Sequence, residues 1–211
     1  MINSHNKTAD IKAIENSDNI YTIKWNVAPI MDKDDDGNET ATELSTYTME
    51  RYNYKPTPSI VMADIAKSGN TATLAELNTI CEGLGAEPLE YLKTYLLALI
   101  TDYDTSEAVN SFVLQGQSVW LDKDTRVGLM NSTTIAKNAG NTATTLWFGG
   151  TKIEVDCDKA ISLLSALELY ALECYNVTAA HKAAVEALTS VEDVLAYDYK
   201  ANYPEKLNMT L

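Results

Sequence analysis

The sequence predicts an α+β protein, and three observations carry that expectation. Two stretches near the N-terminus alternate with a period of two. The middle of the chain holds helix-start signals ahead of apolar residues at helical spacing. The C-terminal half carries short hairpin patterns, each followed by a helical one. The expected arrangement is an N-terminal β-hairpin (1–55), a connector of short helices (56–103), and a C-terminal ββα-ββα domain with a long final helix (104–211).

From Ile20, residues Tyr21, Ile23, Trp25 and Val27 point one way while Thr22, Lys24 and Asn26 point the other, as in a half-buried strand. Leu44 to Tyr54 is rich in Thr, Tyr and Met, and its aromatic positions change face between Tyr47 and Tyr52, which predicts a bulge there. Together these stretches form a hairpin. Pro56 and Pro58 stop the second strand, and Thr57 with Pro58 supplies an N-cap and first-turn pair for a helix from Pro58 to Lys67. Thr73 and Glu76 make a capping box for the next helix, which Gly83 and Gly85 end. A third helix begins near Pro88 and carries Leu89, Leu92, Leu96 and Leu99.

Past Tyr103, Phe112 to Leu121 reads as a hairpin around Gln115-Gly116-Gln117. Asp122 then caps a helix that runs to Asn138 and stops at Gly140. Thr144 to Asp156 is a second hairpin, with Gly149-Gly150 suited to the positive φ of a two-residue turn. The final helix, Asp158 to Leu188, has Ile161, Leu164, Leu167, Leu172, Tyr175, Val185 and Leu188 on its apolar face, and Asp156 and Asp158 complement its positive end. The two ββα units are expected to share one antiparallel sheet covered by helices. The tail from Ser190 reads as a short capped helix and then an irregular end. GNTAT occurs at Gly69 and at Gly140 with unlike flanks, so it marks no repeat.

The 211 residues are 45 % hydrophobic and 22 % charged, the balance of a folded globular protein. Sixteen basic against thirty acidic residues give a net charge of −14, which opposes binding to nucleic acid or to an anionic membrane surface. The longest apolar run, Tyr95 to Ile100, is far too short to span a bilayer. Cys81, Cys157 and Cys174 form no C-x-x-C pair, which fits reduced, cytoplasmic synthesis. MINSHNKTAD lacks the regions of a signal peptide and reads as a flexible polar lead.

The most specific motif is MDKDDDGNETATE, Met31 to Glu43, which matches D-x-D-x-D-G-x5-E. Asp32, Asp34 and Asp36 would offer side-chain oxygens to calcium, Gly37 the turn, Asn38 its backbone carbonyl and Glu43 a bidentate carboxylate. Two features oppose an EF-hand. Glu39 stands where an aliphatic residue bridges paired loops, and the flanks alternate as strands where helices are required. The loop therefore reads as a solvated hairpin tip, and calcium is the one cofactor to consider.

His181, the only histidine outside the N-terminal lead, reads as a packed helix residue, and no nucleophile signature accompanies it. Glycine-rich cofactor loops and zinc spacings are absent from the sequence. Glu168 with Glu173, and Asp102 with Asp104, read as solvated faces, so no enzyme is expected. Twelve Tyr and three Trp against two Phe suit cores with satisfied hydroxyls, and also protein interfaces and sugar contacts.

The stretches Tyr103-Asp104-Thr105-Ser106, Val109 to Phe112, SVWLDKDTRVGLMNS (Ser118 to Ser132), TLWFGG (Thr145 to Gly150) and LELYALECYNVTAAHKAAV (Leu167 to Val185) resemble a phage and prophage protein domain of unknown function, found in tail and fibre gene modules of gut-bacterial phages. The likeness covers Tyr103 to Leu188 and centres on W-L-D-K-x-T-R. It implies a virion or tail-assembly component and carries over no catalytic residue. Read physically, Asp122 caps its helix, Arg126 pairs with Asp122 or with a strand carbonyl, and Trp120 and Trp147 anchor the core.

The N-terminal half looks like the front of small tail-fibre assembly proteins. The resulting expectation is a non-enzymatic structural protein of the tail, collar or fibre region. It would be made in the host cytoplasm, be located in the virion, be oligomeric and contact other phage structural proteins. A tail-fibre assembly chaperone is the alternative.

Overall fold

The computed structural model describes residues 2–4, 14–17, 19–148 and 150–210, and gives 2–4, Ser17 and Glu43 as backbone alone. Helices and antiparallel sheets are both present, so the fold is α+β. The chain divides into two compact units, Met1–Leu97 with Ala187–Tyr197, and Ala98–Glu186 with Asp198–Leu211. The expected boundaries stood at 55/56 and 103/104; the first unit groups the hairpin with the helices after it, to which Glu76 and Asp64 tie it by hydrogen bonds to the Val27 N–H and the Tyr52 hydroxyl.

In the first unit, β1 (Ile2–Ser4), β2 (Ile14–Ser17), β3 (Ile20–Lys33) and β4 (Glu39–Tyr52) form an antiparallel sheet in the order β1-β4-β3-β2. β1 lies within the expected polar lead, and residues 5–10 of that lead lie outside the described residues. Tyr21 opposes Tyr52, so Tyr52 shares a face with Ile23 and Trp25, which are 0 % and 1 % exposed. Tyr47, an odd number of residues away, lies on the other face.

No bulge separates Tyr47 from Tyr52 on β4, contrary to expectation. The register instead slips between Trp25 and Ala28 of β3, where Asn26 has φ 52°, and again between Pro29 and Met31. Pro29 has no N–H for the ladder, which suits it to an irregular position. Lys24, on the face expected to be solvated, is 5 % exposed. Its Nζ lies 3.0 Å from Glu15 Oε1 and 4.9 Å from the Tyr47 ring centroid, so the stem is buried and the charge is paired.

The helices follow their local signals. α1 (Pro58–Ser68) starts with Thr57 in an extended conformation and Pro58 in the first turn, and ends at Gly69, whose φ is 72°. The Tyr52 hydroxyl donates to Asp64 of α1 at 2.8 Å. This bond and the Lys67 ammonium hold the Asp64 carboxyl below its usual value of 3.8. A lowered carboxyl contributes stability above its unfolded value and loses it as pH falls through the folded one. Tyr52→Phe should therefore flatten the acid limb of a melting-temperature profile below that value.

α2 (Leu74–Gly83) carries the capping box in full. Thr73 Oγ1 accepts from the Glu76 N–H at 3.1 Å, and Glu76 Oε2 accepts from the Thr73 N–H at 2.8 Å. The other carboxylate oxygen, Oε1, accepts from the Val27 N–H of β3 at 2.9 Å, so a single side chain caps a helix and pairs a strand amide. Glu76→Ala should cost about 2 kcal/mol in urea denaturation, with the lost cap and the orphaned amide each contributing. At the far end of α2, a Cβ on Gly83 would meet Ile14 Cδ1 at 2.5 Å, a close approach that glycine permits.

α3 (Leu89–Thr105) buries Leu92, Tyr95, Leu96 and Ile100. The Tyr95 hydroxyl accepts from the Ala72 N–H and donates to the Ala72 carbonyl, both at 3.0 Å. The short helix α6 (Val191–Ala196), capped by Ser190 and burying Val194, returns to this unit.

The second unit contains β5 (Phe112–Leu114), β6 (Gln117–Val119), α4 (Lys123–Asn138), β7 (Ala143–Phe148), β8 (Thr151–Asp156), α5 (Cys157–Ala187) and β9 (Asn208–Met209). The expected single sheet is two: β6-β5-β9 and the β7-β8 hairpin. β9 pairs in parallel with β5, so the tail read as irregular supplies a strand. Gln115 and Gly116 both have positive φ (50° and 81°), the backbone of a tight two-residue hairpin turn. At the second turn Gly150 has φ 89°, and Gly149 lies outside the described residues.

Phe112, Leu114, Leu146, Phe148, Leu164 and Leu167 stand at the centre of the core, with the Phe112 and Phe148 rings edge to face at 6.2 Å. Trp147 is 59 % exposed and is no core anchor, because strand alternation turns it outward between buried Leu146 and Phe148. The buried stripe of α5 runs through Ala160, Leu164, Leu167, Cys174, Thr178, His181 and Val185. Leu172 and Tyr175, expected on that stripe, are 53 % and 67 % exposed.

Cys81, Cys157 and Cys174 are all buried free thiols, and burial pushes Cys81 up to about 11. The native chain should resist iodoacetamide at neutral pH, with all three thiols reacting once urea unfolds it. Fast native labelling at Cys81 would contradict this burial.

Candidate functional site

The acidic segment forms the turn of the β3-β4 hairpin. Asp34 Oδ1 accepts from the N–H groups of Asp36 at 3.0 Å and Asn38 at 2.8 Å, and Oδ2 accepts from Asn38 Nδ2 at 3.3 Å. These bonds hold the fully exposed carboxyl below its usual value of 3.8. Gly37, at φ 84°, closes the turn. The Asn38 carbonyl accepts from the Asp34 N–H at 3.0 Å, and Asp32 accepts from the Lys33 N–H at 2.8 Å. Local backbone donors thus engage several of the oxygens that a calcium ion would use. Asp36 is exposed in this turn, and the Glu43 side chain lies outside the described ones. Among the described residues no group of three or more His, Cys, Asp or Glu is placed to hold a metal ion.

His181 is 6 % exposed. Its Nε2 lies 2.8 Å from the Ala201 carbonyl, and its ring stacks on Tyr203 at 5.7 Å between centroids. Thr178, one turn earlier, donates to Asp104 Oδ1 at 2.6 Å, and its Oγ1 lies 2.8 Å from the Tyr203 hydroxyl. Tyr103 meets Tyr203 and Tyr199 edge to face at 5.3 and 5.9 Å. This cluster fastens the 198–209 segment to α3 and α5.

The W-L-D-K-x-T-R stretch leads into α4. The Asp122 carboxylate accepts from the Thr125 N–H and hydroxyl, each at 2.8 Å, and so caps the helix as expected. Arg126, 5 % exposed, donates through one terminal nitrogen to the Leu121 carbonyl at 2.6 Å. Its Nε donates to Glu168 of α5 at 2.9 Å, and its guanidinium carbon lies 5.1 Å from the Trp120 ring centroid. A strand carbonyl was one of the two expected partners; the carbonyl used, that of Leu121, lies in the link between β6 and α4. The carboxylate partner is Glu168, because Asp122 is occupied by its own cap.

Trp120, Lys123 and Arg126 form one side of a groove of about 500 Å³. Leu172 and Tyr175 of α5 form another, with Asp104, Asn110 and Glu168 supplying its polar atoms. Sequence reasoning placed Leu172 and Tyr175 inside the protein. The available signal was their phase: together with Leu169, 63 % exposed, they recur every three residues, off the line from Leu167 to Cys174 and His181. Elsewhere, no helix of the described residues is long and apolar enough to cross a membrane.

No protein-family model, curated protein or solved structure matches this sequence.

Proposed function

We propose that this chain is a non-enzymatic structural protein of a bacteriophage particle, in the tail, collar or fibre region, working through protein–protein contacts and as an oligomer. The observation that carries this reading is the outer part of the β3-β4 hairpin. Each strand runs for 14 residues, against about 5–6 for an ordinary strand, and no residue from Ala28 to Thr42 is buried.

Among the described residues, β2 pairs with β3 only as far as Ile23, and β1 pairs with β4 only at Ser45 to Tyr47. Beyond those points no described strand pairs with the outer edges of the hairpin, whose backbone donors and acceptors suit pairing with another strand. Such an arm gains burial when another chain covers it. Its acidic tip and Pro29 disfavour indiscriminate edge pairing. The resemblance to phage tail and fibre modules adds to this reading, since its residues from Tyr103 to Glu186 fall within the second compact unit.

Particles released from cells that carry this gene, purified through a density gradient and analysed by quantitative mass spectrometry, should contain the chain in stoichiometric amount. Presence in the lysate with absence from intact particles would overturn the structural role and point to the assembly chaperone instead.

A further inference from the structure

We propose that the groove of the second unit binds a neutral saccharide. This inference concerns a different surface from the hairpin arm and does not rest on the particle role. Its first support is charge. Lys123 and Arg126 are balanced by Asp104 and Glu168, two cations against two anions, and Arg126 is already paired with Glu168 at 2.9 Å. The groove thus holds no excess charge for a phosphate, a carboxylate or an ammonium group. The net charge of −14 on the whole chain opposes polyanions further.

The second support is the mixture of surfaces. Tyr175 and Leu172 present exposed apolar area beside Trp120, whose ring is braced by the Arg126 guanidinium. Among these walls the Asn110 amide and the Lys123 ammonium make no side-chain hydrogen bond among the described residues. Each carboxylate has one oxygen engaged, Asp104 Oδ1 by Thr178 and Glu168 Oε1 by Arg126, which leaves the other as an acceptor. A hydrocarbon would strand these polar atoms without water. A sugar ring answers both demands, with a C–H face for Tyr175 and hydroxyls that donate to carboxylates and accept from amide and ammonium.

The third support is form. The groove is walled by the end of α3 and the segment after it, the link between β6 and α4, α4 and α5, so it offers side-chain atoms and no strand edge for an extended peptide. Its volume of about 500 Å³ lies within the range of small-ligand pockets. In this arrangement Tyr175 stacks, Asn110, Asp104 and Glu168 select hydroxyls, and Arg126 is a positioning residue for Trp120 and Glu168.

The full chain should be screened on a printed array of neutral and acidic glycans. It should then be titrated, 15N-labelled, with maltotriose, cellotriose, N-acetylated chitotriose and any neutral array hit. At least one neutral glycan should shift the Trp120 indole N–H and leave that of buried Trp25 unmoved. Tyr175→Ala and Asn110→Ala should each weaken that binding about tenfold. Tyr175 is 67 % exposed, so its variant should keep the wild-type circular dichroism and serve as the folded control.

No binding by any neutral glycan would overturn the proposal. So would binding confined to acidic glycans, or binding unchanged in both variants. A mixed neutral hexapeptide library that shifts Trp120 where no sugar does would overturn it too, and would assign the groove to peptide.

Discussion

Deleting Leu207 to Leu211 should lower the stability of the second unit by about 4 kcal/mol, a large share of the roughly 5–15 kcal/mol typical of a whole domain. The segment supplies the outer strand of a three-stranded sheet. The Val113 N–H donates to the Leu207 carbonyl at 2.8 Å, and the Gln115 N–H donates to the Met209 carbonyl at 3.0 Å. Two ladder bonds are worth about 1 kcal/mol each, and withdrawing Met209 from the core, with Leu207 beside it, about 2 kcal/mol more. Urea denaturation followed by far-UV circular dichroism would measure the loss. Met209→Ala keeps the backbone ladder and should cost only the side-chain part, so the pair of variants separates strand from side chain. An unchanged midpoint in the deletion would show that β9 contributes nothing to this fold.

Phe112→Ala should be as damaging, at about 3–5 kcal/mol. Phe112 is 0 % exposed, sits on the middle strand between β6 and β9, and meets Phe148 edge to face. Truncation leaves a void that both sheets border, and a close-packed core cannot refill it without moving strands. Phe112→Leu should recover most of the loss. In a Trp25→Phe background the fluorescence of Trp120 and Trp147 would follow the second unit alone, since Trp25 is the one tryptophan of the first. A loss below about 1 kcal/mol would mean that the site relaxes around the cavity.

What the sequence made legible was local. The Thr73-Glu76 box, the Asp122 cap, the turns at Gln115-Gly116 and beside Gly150, and the hairpin around Gly37 are short-range chemistry, readable from a few adjacent residues. What escaped depended on partners far along the chain. The buried line of α5 continues through Cys174, Thr178 and His181. Thr178 and His181 are satisfied by Asp104, Tyr203 and Ala201, and no periodicity of apolar residues announces that. Leu172 and Tyr175 therefore looked like core, and Trp147 gained weight from its size when its phase against Leu146 and Phe148 pointed outward. β9 spans two residues, too few to carry an alternating signal, and exists by complementing β5.

The groove was half legible, since Trp120 and Arg126 stand in the stretch on which the resemblance centres, while apolar Leu172 and Tyr175 on its opposite wall carry the mark of core residues. The grouping of the hairpin with the helices after it in one compact unit was hidden for a related reason. Glu76 and Tyr52 couple hairpin to helices by hydrogen bonds that composition does not reveal.

The backbone passes from one unit to the other at Leu97/Ala98, at Glu186/Ala187 and again at Tyr197/Asp198. Neither unit is a continuous stretch of gene. During synthesis the first unit lacks a piece until Tyr197 has left the ribosome, and the second cannot complete its three-stranded sheet until Met209 has emerged. A plasmid encoding either half cut at a single codon would express a polypeptide missing part of its own interior.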